Sequence, residues 1–279
     1  MLLPALGMEV TGIYSEQLAY FFYGNEKCFV PYVLNPVAVR SYAKACMEAN
    51  KNDPTDARVI ASYLAVSIAK GHIAAWEAPT EEERFLRALS RRREELVHLL
   101  TSEKNRLEKL NNMAKPTDEV VKSVEEHIQY LKTATEGIES DIDSCINTHS
   151  DLKKNDELLR SIPGIGVITA TAILGEAGDL SQFEGVKQLT SFVGIAPVEY
   201  TSGSSVSKHS RISKRGNARI RHYLYMAAMI AVRVNPVMRE FYERLLERGK
   251  VKKVALIACM RKLLHLIWGV LKNQSMFDP

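Results

Sequence analysis

A long polar and leucine-rich stretch decides the architecture of this chain: TEEERFLRALSRRREELVHLLTSEKNRLEKL, residues 80–110. Thr80 and Glu83 form a capping box, with Thr80 as the N-cap of a helix. Seam positions then recur in steps of three and four, at residues 86, 89, 93, 96, 100, 103, 107 and 110. This heptad spacing predicts one long helix whose seam packs against a partner helix.

A second heptad seam supplies that partner. It follows the breaker Lys115-Pro116-Thr117 and runs from Val121 to Cys145. Two heptad helices joined by a short turn predict an antiparallel coiled-coil hairpin. The polar seam residues Arg93, Glu103 and Thr135 weaken the seam and are candidates for setting its register. We assign the hairpin no chemistry and interpret it as a rigid spacer or a dimerisation arm.

The chain differs on the two sides of the hairpin. Residues 1–78 alternate strand-like and helix-like runs, which predicts an α/β layer. Residues 155–272 have an all-helical pattern. We therefore expect an α/β plus all-α protein with domains at 1–78, 79–154 and 155–279. The elements predicted in the first domain are a strand before Glu9, helices over Ser15–Phe22 and Val37–Glu48, a strand over Cys28–Leu34, and a helix from Asp53 through Ala69.

Composition excludes several classes of protein. The 46% apolar and 25% charged content is that of a soluble globular protein. The four cysteines are scattered, which excludes a disulfide framework or a zinc site and suits a reducing cytoplasm. We expect no signal peptide. We also expect no membrane segment, because the apolar run Val254–Leu271 carries Arg261, Lys262 and His265.

Charge is concentrated near the carboxyl end. Between Thr201 and Lys272, 16 Lys or Arg stand against three acids, a net charge of +13, whereas the whole chain carries +4. A segment of this charge attracts polyanions, so we expect it to bind nucleic acid. The candidate cations include Lys208, Arg211, Lys214, Arg215, Arg219 and Arg221.

Two motifs within residues 155–216 suit contact with phosphate. Ile162-Pro-Gly-Ile-Gly166 resembles a helix-hairpin-helix turn, in which Gly164 and Gly166 let the backbone approach a phosphate; the alternative is a plain turn. Residues 200–216 combine hydroxyls, glycines and cations, and we expect them to form a loop. A serine there, among Ser202, Ser204 and Ser205, is either a phosphate contact or a nucleophile supported by cations.

Three acids near the amino end are candidate metal ligands. Asp53 and Asp56 lie three residues apart and share a helix face, and Glu9 lies at a strand end. Their carboxylates offer the oxygen ligands that Mg²⁺ prefers. Capping also explains the pair, with Asp53 as the N-cap and Pro54 at the first helical position, and Glu9 alone is an ordinary solvated strand end.

Taken in order, these pieces resemble one family: the transposases of the insertion sequence 110 / 116 / 902 group, the RNA-guided serine recombinases. The resemblance covers essentially the whole chain. The segments that carry it are Glu9–Tyr14, Leu34–Pro36, Lys51–Arg58, Ala75–Pro79, Ile162–Gly166, Tyr200–Ser205 and Met260–Leu263.

The resemblance implies a RuvC-like, RNase H-fold domain with an Asp-Glu-Asp-Asp metal site, a coiled coil, and a C-terminal helical transposase domain. It further implies a serine that attacks DNA to form a phosphoserine intermediate, and a noncoding guide RNA from the element. By motif position, Glu9 matches the family glutamate, Asp53 and Asp56 the last two aspartates, and Ser202 the nucleophile.

One feature departs from the family pattern. The first family aspartate lies on the first strand, upstream of the glutamate, whereas no acid precedes Glu9 here. We therefore expect an N-terminally truncated domain with reduced activity.

Three functions stay open on the sequence. The first is a DNA transposase or recombinase that acts through Ser202 with Mg²⁺. The second is a catalytically inactive, self-associating remnant that binds nucleic acid. The third is a RuvC-like metal nuclease that uses water, with Ser202 only as a contact.

Overall fold

The computed structural model describes residues 3–10, 12–24, 29–48, 50, 52–178, 180, 183–202 and 206–279; at residues 13, 199–202 and 206–210 it describes the backbone alone. The described chain is mostly helical with few strands. It divides into two compact units, Met1–Pro79 and Thr80–Pro279. The three domains expected from the sequence stay a prediction.

The first unit begins with two parallel strands joined by a helix. Strand β1 (Ala5–Glu9) pairs in parallel with β2 (Val30–Leu34), and α1 (Ile13–Gly24) connects them. Two helices follow, α2 (Pro36–Ala45) and α3 (Asp53–Ala69). The described residues confirm the predicted strands and helices of this unit to within a few residues at each end. The RNase H fold that the family resemblance implies stays a prediction.

Helix α3 packs directly on β1. A Cβ added to Gly7 would lie 3.1 Å from Leu64 Cδ2 and 3.2 Å from Ile60 Cγ2, so a side chain at this position would crowd the helix. Beyond α3 the chain returns to the start of β2, where the Trp76 N–H donates to the Pro31 carbonyl at 2.8 Å. Helix α3 therefore covers β1, and the segment that follows it contacts the start of β2.

The second unit begins with two 31-residue helices, α4 (Glu81–Asn111) and α5 (Asp118–Thr148). The predicted capping box is confirmed: Thr80 Oγ1 accepts the Glu83 N–H at 3.2 Å, and Glu83 Oε2 accepts the Thr80 N–H at 3.1 Å. The two helices pack against each other as a hairpin. The supercoil that the heptads predict stays a prediction.

Each polar residue of the seam has a partner. Arg93 Nε donates to Glu139 Oε1 at 2.7 Å. Glu103, which is buried, accepts a hydrogen bond from Arg106 at 3.0 Å. Thr135 donates its hydroxyl to the carbonyl of residue 131 at 2.7 Å. Because these groups are satisfied, the seam tolerates polar residues in its interior.

Six further helices complete the second unit, and one core joins them to the base of the hairpin. They are α6 (Ser150–Arg160), α7 (Val167–Ala177), α8 (Val186–Val193), α9 (Ala218–Val234), α10 (Pro236–Glu247) and α11 (Lys252–Asn273). Leu86 and Ile142 of the hairpin lie in the same buried cluster as Leu159, Leu224 and Leu263. Burying this shared surface is what makes the hairpin part of the unit.

The prediction that residues 155–272 are all-helical is wrong over one segment. Residues Pro197–Ser202 (β3) and Val206–Ile212 (β4) form an antiparallel pair. The two strands contain Val, Tyr, Thr and Ile residues, which favour strands over helix interiors. The residues expected to form a loop are therefore largely a β-hairpin.

Helix α11 is a core helix. Among the described residues it alone is long and apolar enough to span a membrane by length and composition. Its residues Ala255, Cys259, Leu263 and Ile267 recur every four positions and are fully buried in the unit. Burial raises the pKa of the Cys259 thiol to about 11, so this thiol stays protonated. The apolar composition of α11 is explained by its place in the core.

Candidate functional site

Ser202 lies at the end of a β-hairpin. It is the last residue of β3, and its backbone is in register with Val206, the first residue of β4. Three residues, Gly203 to Ser205, connect the strands. Ser204 and Ser205 lie outside the described residues, as does Gly203. Three-residue connections are common in hairpins and commonly include a glycine. Ser202 is thus the last paired residue of β3 before the connection.

The foot of the β3–β4 hairpin is the end where residues 192–196 enter it and residues 213–217 leave it. Backbone hydrogen bonds hold these two segments together. The Lys214 N–H donates to the Gly194 carbonyl at 3.0 Å, and the Asn217 N–H donates to the Phe192 carbonyl at 2.8 Å. A Cβ added at Gly216 would lie 2.0 Å from that Phe192 oxygen, so only glycine fits there. These contacts fasten both ends of the hairpin to α8 and to the start of α9.

Three of the predicted cations are exposed near this foot. Arg211 lies on β4, and Lys214 and Arg215 follow it in the segment that leads to α9. None of the three has an ion-pair partner among the described residues. Their charges are therefore available to an anion from solvent. For Lys208 the structure describes the backbone, which pairs with Tyr200.

Two other predicted cations make contacts within the protein. Arg219 Nε donates to Glu94 Oε2 on α4 at 2.7 Å. Arg221 Nη1 donates to the Val193 carbonyl at the end of α8 at 2.9 Å. Both arginines hold helices together, and this role distinguishes them from Arg211, Lys214 and Arg215.

A buried polar cluster below the hairpin was missed by the sequence analysis. Glu176 on α7 accepts hydrogen bonds from Arg91 at 2.7 and 3.1 Å and from Asn217 Nδ2 at 2.9 Å. Asn217 also caps α9, since its Oδ1 accepts the N–H groups of residues 219 and 220 at 3.0 Å. No local signal reveals this cluster, because its members come from three distant segments.

The cluster controls the ionisation of Glu176. Burial alone would raise the pKa of this carboxyl. Hydrogen bonds from Arg91 and Asn217, together with the charges of Arg91 and Arg219, outweigh burial and lower the pKa. The charged Glu176 carboxylate on α7 thus links Arg91 of α4 to Asn217 at the foot of the β3–β4 hairpin.

The two glycines of the predicted helix-hairpin-helix turn differ in their surroundings. Gly164 has φ +106°, and a Cβ added there would lie 2.6 Å from both Cα and Cβ of Ala231 on α9. Gly166 is exposed, has an ordinary φ of −99°, and has no atom within 4 Å of an added Cβ. Gly164 therefore allows the turn to pack closely against Ala231 of α9, whereas Gly166 is open to a ligand.

Gly166 is also the N-cap of α7, and no side chain caps that helix. Its first N–H groups and its dipole favour an anion at this end. A turn between the two helices α6 and α7 is present; the helix-hairpin-helix assignment and the binding of phosphate there stay predictions.

One expectation about the carboxylate candidates of the first unit is wrong. Asn52, not Asp53, is the N-cap of α3, because its Oδ1 accepts the Thr55 N–H at 2.9 Å. Asp53 and Pro54 are then the first two helical residues. An N-cap needs an extended backbone, and Asn52 has φ −153° and ψ 159°. The Asp53 carboxylate is therefore not used for capping.

The geometry does not complete a metal centre. Asp53 and Asp56 are exposed in the first turn of α3, and Glu9 is the last residue of β1. In the part of the chain that the structure describes, no group of three His, Cys, Asp or Glu side chains is placed to hold a metal ion. The oxygen donors suit a hard divalent cation, but their arrangement is not that of a three-ligand site.

Comparison with protein families finds two matches. A family described as "Transposase IS116/IS110/IS902 family" matches residues 156–243. A second family, the DEDD transposase domain of IS110, matches residues 4–114. The second family suggests a divalent metal ion, without specifying which.

Several curated proteins are similar to this chain. The pilin gene-inverting protein of Moraxella bovis is 32% identical over 272 residues, which are 97% of this chain and 81% of that protein. The transposase for insertion sequence element IS1111A of Coxiella burnetii is 26% identical over 275 residues, covering 88% of this chain and 72% of its own. A 42 kDa protein of insertion element IS900 from Mycobacterium paratuberculosis is 29% identical over 140 residues, half of this chain and 35% of that protein.

Proposed function

Because the chain belongs to the IS116/IS110/IS902 family of transposases, we propose that it cuts and rejoins DNA strands through Ser202 when an insertion sequence moves. Membership in this family makes it a DNA-acting enzyme in general terms. The pilin gene-inverting relatives are named for a rearrangement of DNA, which supports a strand-exchange reaction for this chain as well.

The observation that carries the proposal is the contrast among the cations. Arg219 and Arg221 are held by Glu94 and by a backbone carbonyl. Arg211, Lys214 and Arg215 are exposed at the foot of the hairpin that ends at Ser202. Because Arg211 pairs with Val198, four residues before Ser202, these cations lie at the opposite end of the hairpin from the serine. We propose that they hold the DNA backbone by its phosphates while the other end of the hairpin presents Ser202 for attack.

In the proposed reaction, the Ser202 hydroxyl oxygen attacks the phosphorus of a DNA phosphodiester. A bond from phosphorus to Oγ forms while the bond from phosphorus to one bridging sugar oxygen breaks. The serine proton passes to water, and the departing sugar oxygen takes up a proton from solvent. Attack by a hydroxyl of a second strand then reverses these steps, rejoins the DNA and frees the serine.

Mg²⁺ is the divalent ion in this proposal, with Glu9, Asp53 and Asp56 as its candidate ligands. A hard cation there would neutralise phosphate charge. Because the three side chains do not form a three-ligand site among the described residues, no step above depends on the ion. Calorimetric titration with Mg²⁺ should show weaker uptake by Asp53→Asn and Asp56→Asn than by the unaltered chain.

Two macromolecular partners accompany DNA in the proposal. One is a noncoding guide RNA, which the +13 segment between Thr201 and Lys272 would attract as it attracts any polyanion. The other is a second copy of the chain, bound through the α4–α5 hairpin. Exposed Leu99 and Tyr130 on the hairpin support this contact, since apolar side chains at a surface favour association.

The decisive experiment traps a covalent protein–DNA adduct in the full chain. Ser202→Ala should abolish the adduct and leave DNA affinity nearly unchanged, because the change removes only the attacking oxygen. Ser204→Ala and Ser205→Ala are matched controls and should retain the adduct. An adduct that survives Ser202→Ala would overturn the assignment of the nucleophile. DNA binding or water-mediated cleavage with no adduct would favour a binding protein or a metal nuclease instead.

DNA affinity tests the cationic foot separately. Lys214→Glu with Arg215→Glu should weaken binding to all DNA sequences alike and flatten its salt dependence, because fewer counterions are released from phosphate. Lys122→Glu with Lys132→Glu, two exposed lysines of α5, makes the same change in net charge away from the foot. Equal loss of affinity in both pairs would contradict a local role for Lys214 and Arg215.

A further inference from the structure

We propose that a cavity enclosed by α4, α5, α7 and α9 binds a single unpaired nucleobase. The cavity has a volume of about 260 Å³. Its polar lining includes Ser90, Arg93, Glu139, Thr171 and Tyr223. Pockets for drug-sized ligands measure about 300–1,000 Å³, so this one suits a base rather than a whole nucleotide. The inference rests on the proposed function, since it assumes that the chain binds nucleic acid.

Three residues with hydroxyl groups line the cavity. They are Ser90 on α4, Thr171 on α7 and Tyr223 on α9. Thr171 is 3% exposed, and its Oγ1 is buried with no hydrogen-bond partner. Neither Ser90 nor Tyr223 has a hydrogen-bond partner among the described residues. Because a buried unpaired hydroxyl destabilises a fold, Thr171 Oγ1 indicates that a ligand satisfies it, and the hydroxyls of Ser90 and Tyr223 are free to bind the same ligand.

The charges around the cavity favour a neutral ligand. Arg93 is already paired with Glu139 at 2.7 Å. Asp143 adds a further acid to the lining, which therefore disfavours a phosphate or a carboxylate inside the cavity. Burial raises the pKa of Tyr223, and its phenol stays a neutral donor. A nucleobase is neutral, and its edge carries several donors and acceptors for these hydroxyls.

The apolar part of the lining suits the faces of a planar ring. Ile142 of α5 and Val167 of α7 contribute aliphatic surface to the cavity. Tyr223 contributes an aromatic ring. Proteins that accept an unstacked base hold it between such side chains and read its edge with hydrogen bonds. The cavity offers both apolar side chains for the ring faces and hydroxyl groups for the ring edge.

The cavity also adjoins an end of a helix that favours anions. Val167 and Ile168, the first two residues of α7, line it, and α7 has no side-chain cap. Ile168 is 43% exposed, so the lining reaches the surface at this point. A nucleotide whose base enters the cavity could place its phosphate at the free N–H groups of α7. Because the cavity adjoins this helix end, it favours a nucleotide over other small neutral ligands, which lack a phosphate.

The test uses the full chain and DNA duplexes that carry 2-aminopurine, either in a single-nucleotide bulge or fully paired. RNA duplexes of the same design show whether the base is accepted from RNA as well. We expect tighter binding to the bulged duplex and a change in 2-aminopurine fluorescence on binding. Thr171→Val keeps the shape of the side chain and removes the hydroxyl. It should reduce the preference for the bulge about fivefold to tenfold, the effect of one lost hydrogen bond.

Two further variants keep the test decisive. Tyr223→Phe should act like Thr171→Val, because it also removes one hydroxyl from the cavity. Thr169→Val is the matched control: Thr169 is buried on the same helix but does not line the cavity, so the preference should stay unchanged. Equal binding to bulged and paired duplexes, or a preference that survives both hydroxyl losses, would overturn the inference while leaving nucleic-acid binding intact. If the unaltered chain binds neither DNA nor RNA, that result would instead overturn the proposed function.

Discussion

Replacing Gly164 by alanine should destabilise the second unit far more than replacing Gly166, two residues away. The added methyl group at Gly164 would meet Cα and Cβ of Ala231 at 2.6 Å and its backbone N at 2.8 Å. Two of these three atoms belong to the α9 backbone, which a rotamer change cannot move. The residue also has φ +106°, where a side chain is strained.

The size of the effect follows from these two terms. Forcing an extra methyl group into a packed interior costs about 1–3 kcal/mol. A non-glycine residue at a disfavoured positive φ costs about 1–3 kcal/mol more. Alanine also reduces the conformational freedom of the unfolded chain, which offsets roughly 0.4–1 kcal/mol of this destabilisation. We therefore expect Gly164→Ala to lower the free energy of unfolding by about 1–6 kcal/mol.

Gly166→Ala is the matched control. Its added Cβ meets nothing within 4 Å, and φ −99° suits any residue. Alanine is a weaker N-cap than glycine by about 0.5–1 kcal/mol, and the reduced freedom of the unfolded chain offsets most of this. The net change in the free energy of unfolding should stay within about 0.5 kcal/mol.

The two tryptophans of the chain allow a clean measurement. Trp76 lies in the first unit and Trp268 in the second. In a Trp76→Phe background, fluorescence during urea denaturation reports on the second unit alone. Similar midpoints for Gly164→Ala and Gly166→Ala, or a loss below about 1 kcal/mol for Gly164→Ala, would refute the packing argument and restore equal roles for the two glycines.

Two further outcomes follow from the interior contacts. Glu176→Gln should lower the free energy of unfolding by about 2 kcal/mol, because it weakens charged hydrogen bonds from Arg91 and loses charge complementarity. Since folding lowers the pKa of Glu176, the unaltered chain should lose this stabilisation as the pH falls from about 4.3 through the folded value. The pH dependence in urea denaturation should therefore flatten in the variant, and an unchanged profile would contradict the argument. Leu96→Asp with Leu131→Asp puts charge at two positions that are each 2% exposed, and it should unfold the hairpin and dissociate any oligomer that forms through it. Circular dichroism and light scattering measure these effects, and undiminished helicity would show that the seam does not hold the hairpin.

The structure separates two uses of cations that look alike in sequence. Arg219 is fixed to Glu94 and serves the fold. Lys214 and Arg215 are exposed near the foot of the hairpin and have no ion-pair partner in the described chain. For contact with phosphate, this difference favours Lys214 and Arg215 over Arg219.

Local signals were sufficient to predict most of the helices. The Thr80–Glu83 capping box depends on atoms three residues apart, and α3 from Asp53 to Ala69 begins with acids and proline in its first turn. Such signals act through the backbone of one turn, so composition and spacing reveal them. The β3–β4 hairpin was missed because serine, glycine and cations are also typical of loops.

Tertiary contacts decided which of the candidate residues are free to act. Gly164 is held by Ala231, and Glu176 by Arg91 and Asn217, partners that lie 41 to 85 residues from it in the chain. The spacing of apolar residues along the sequence does not reveal such a pairing, because the pairing depends on how whole helices cross. The sequence by itself therefore determined the helices, the cationic segment and the family resemblance. The packing of α4, α7 and α9 determined the roles of individual glycines and arginines, since contact between distant segments exists only once the chain has folded.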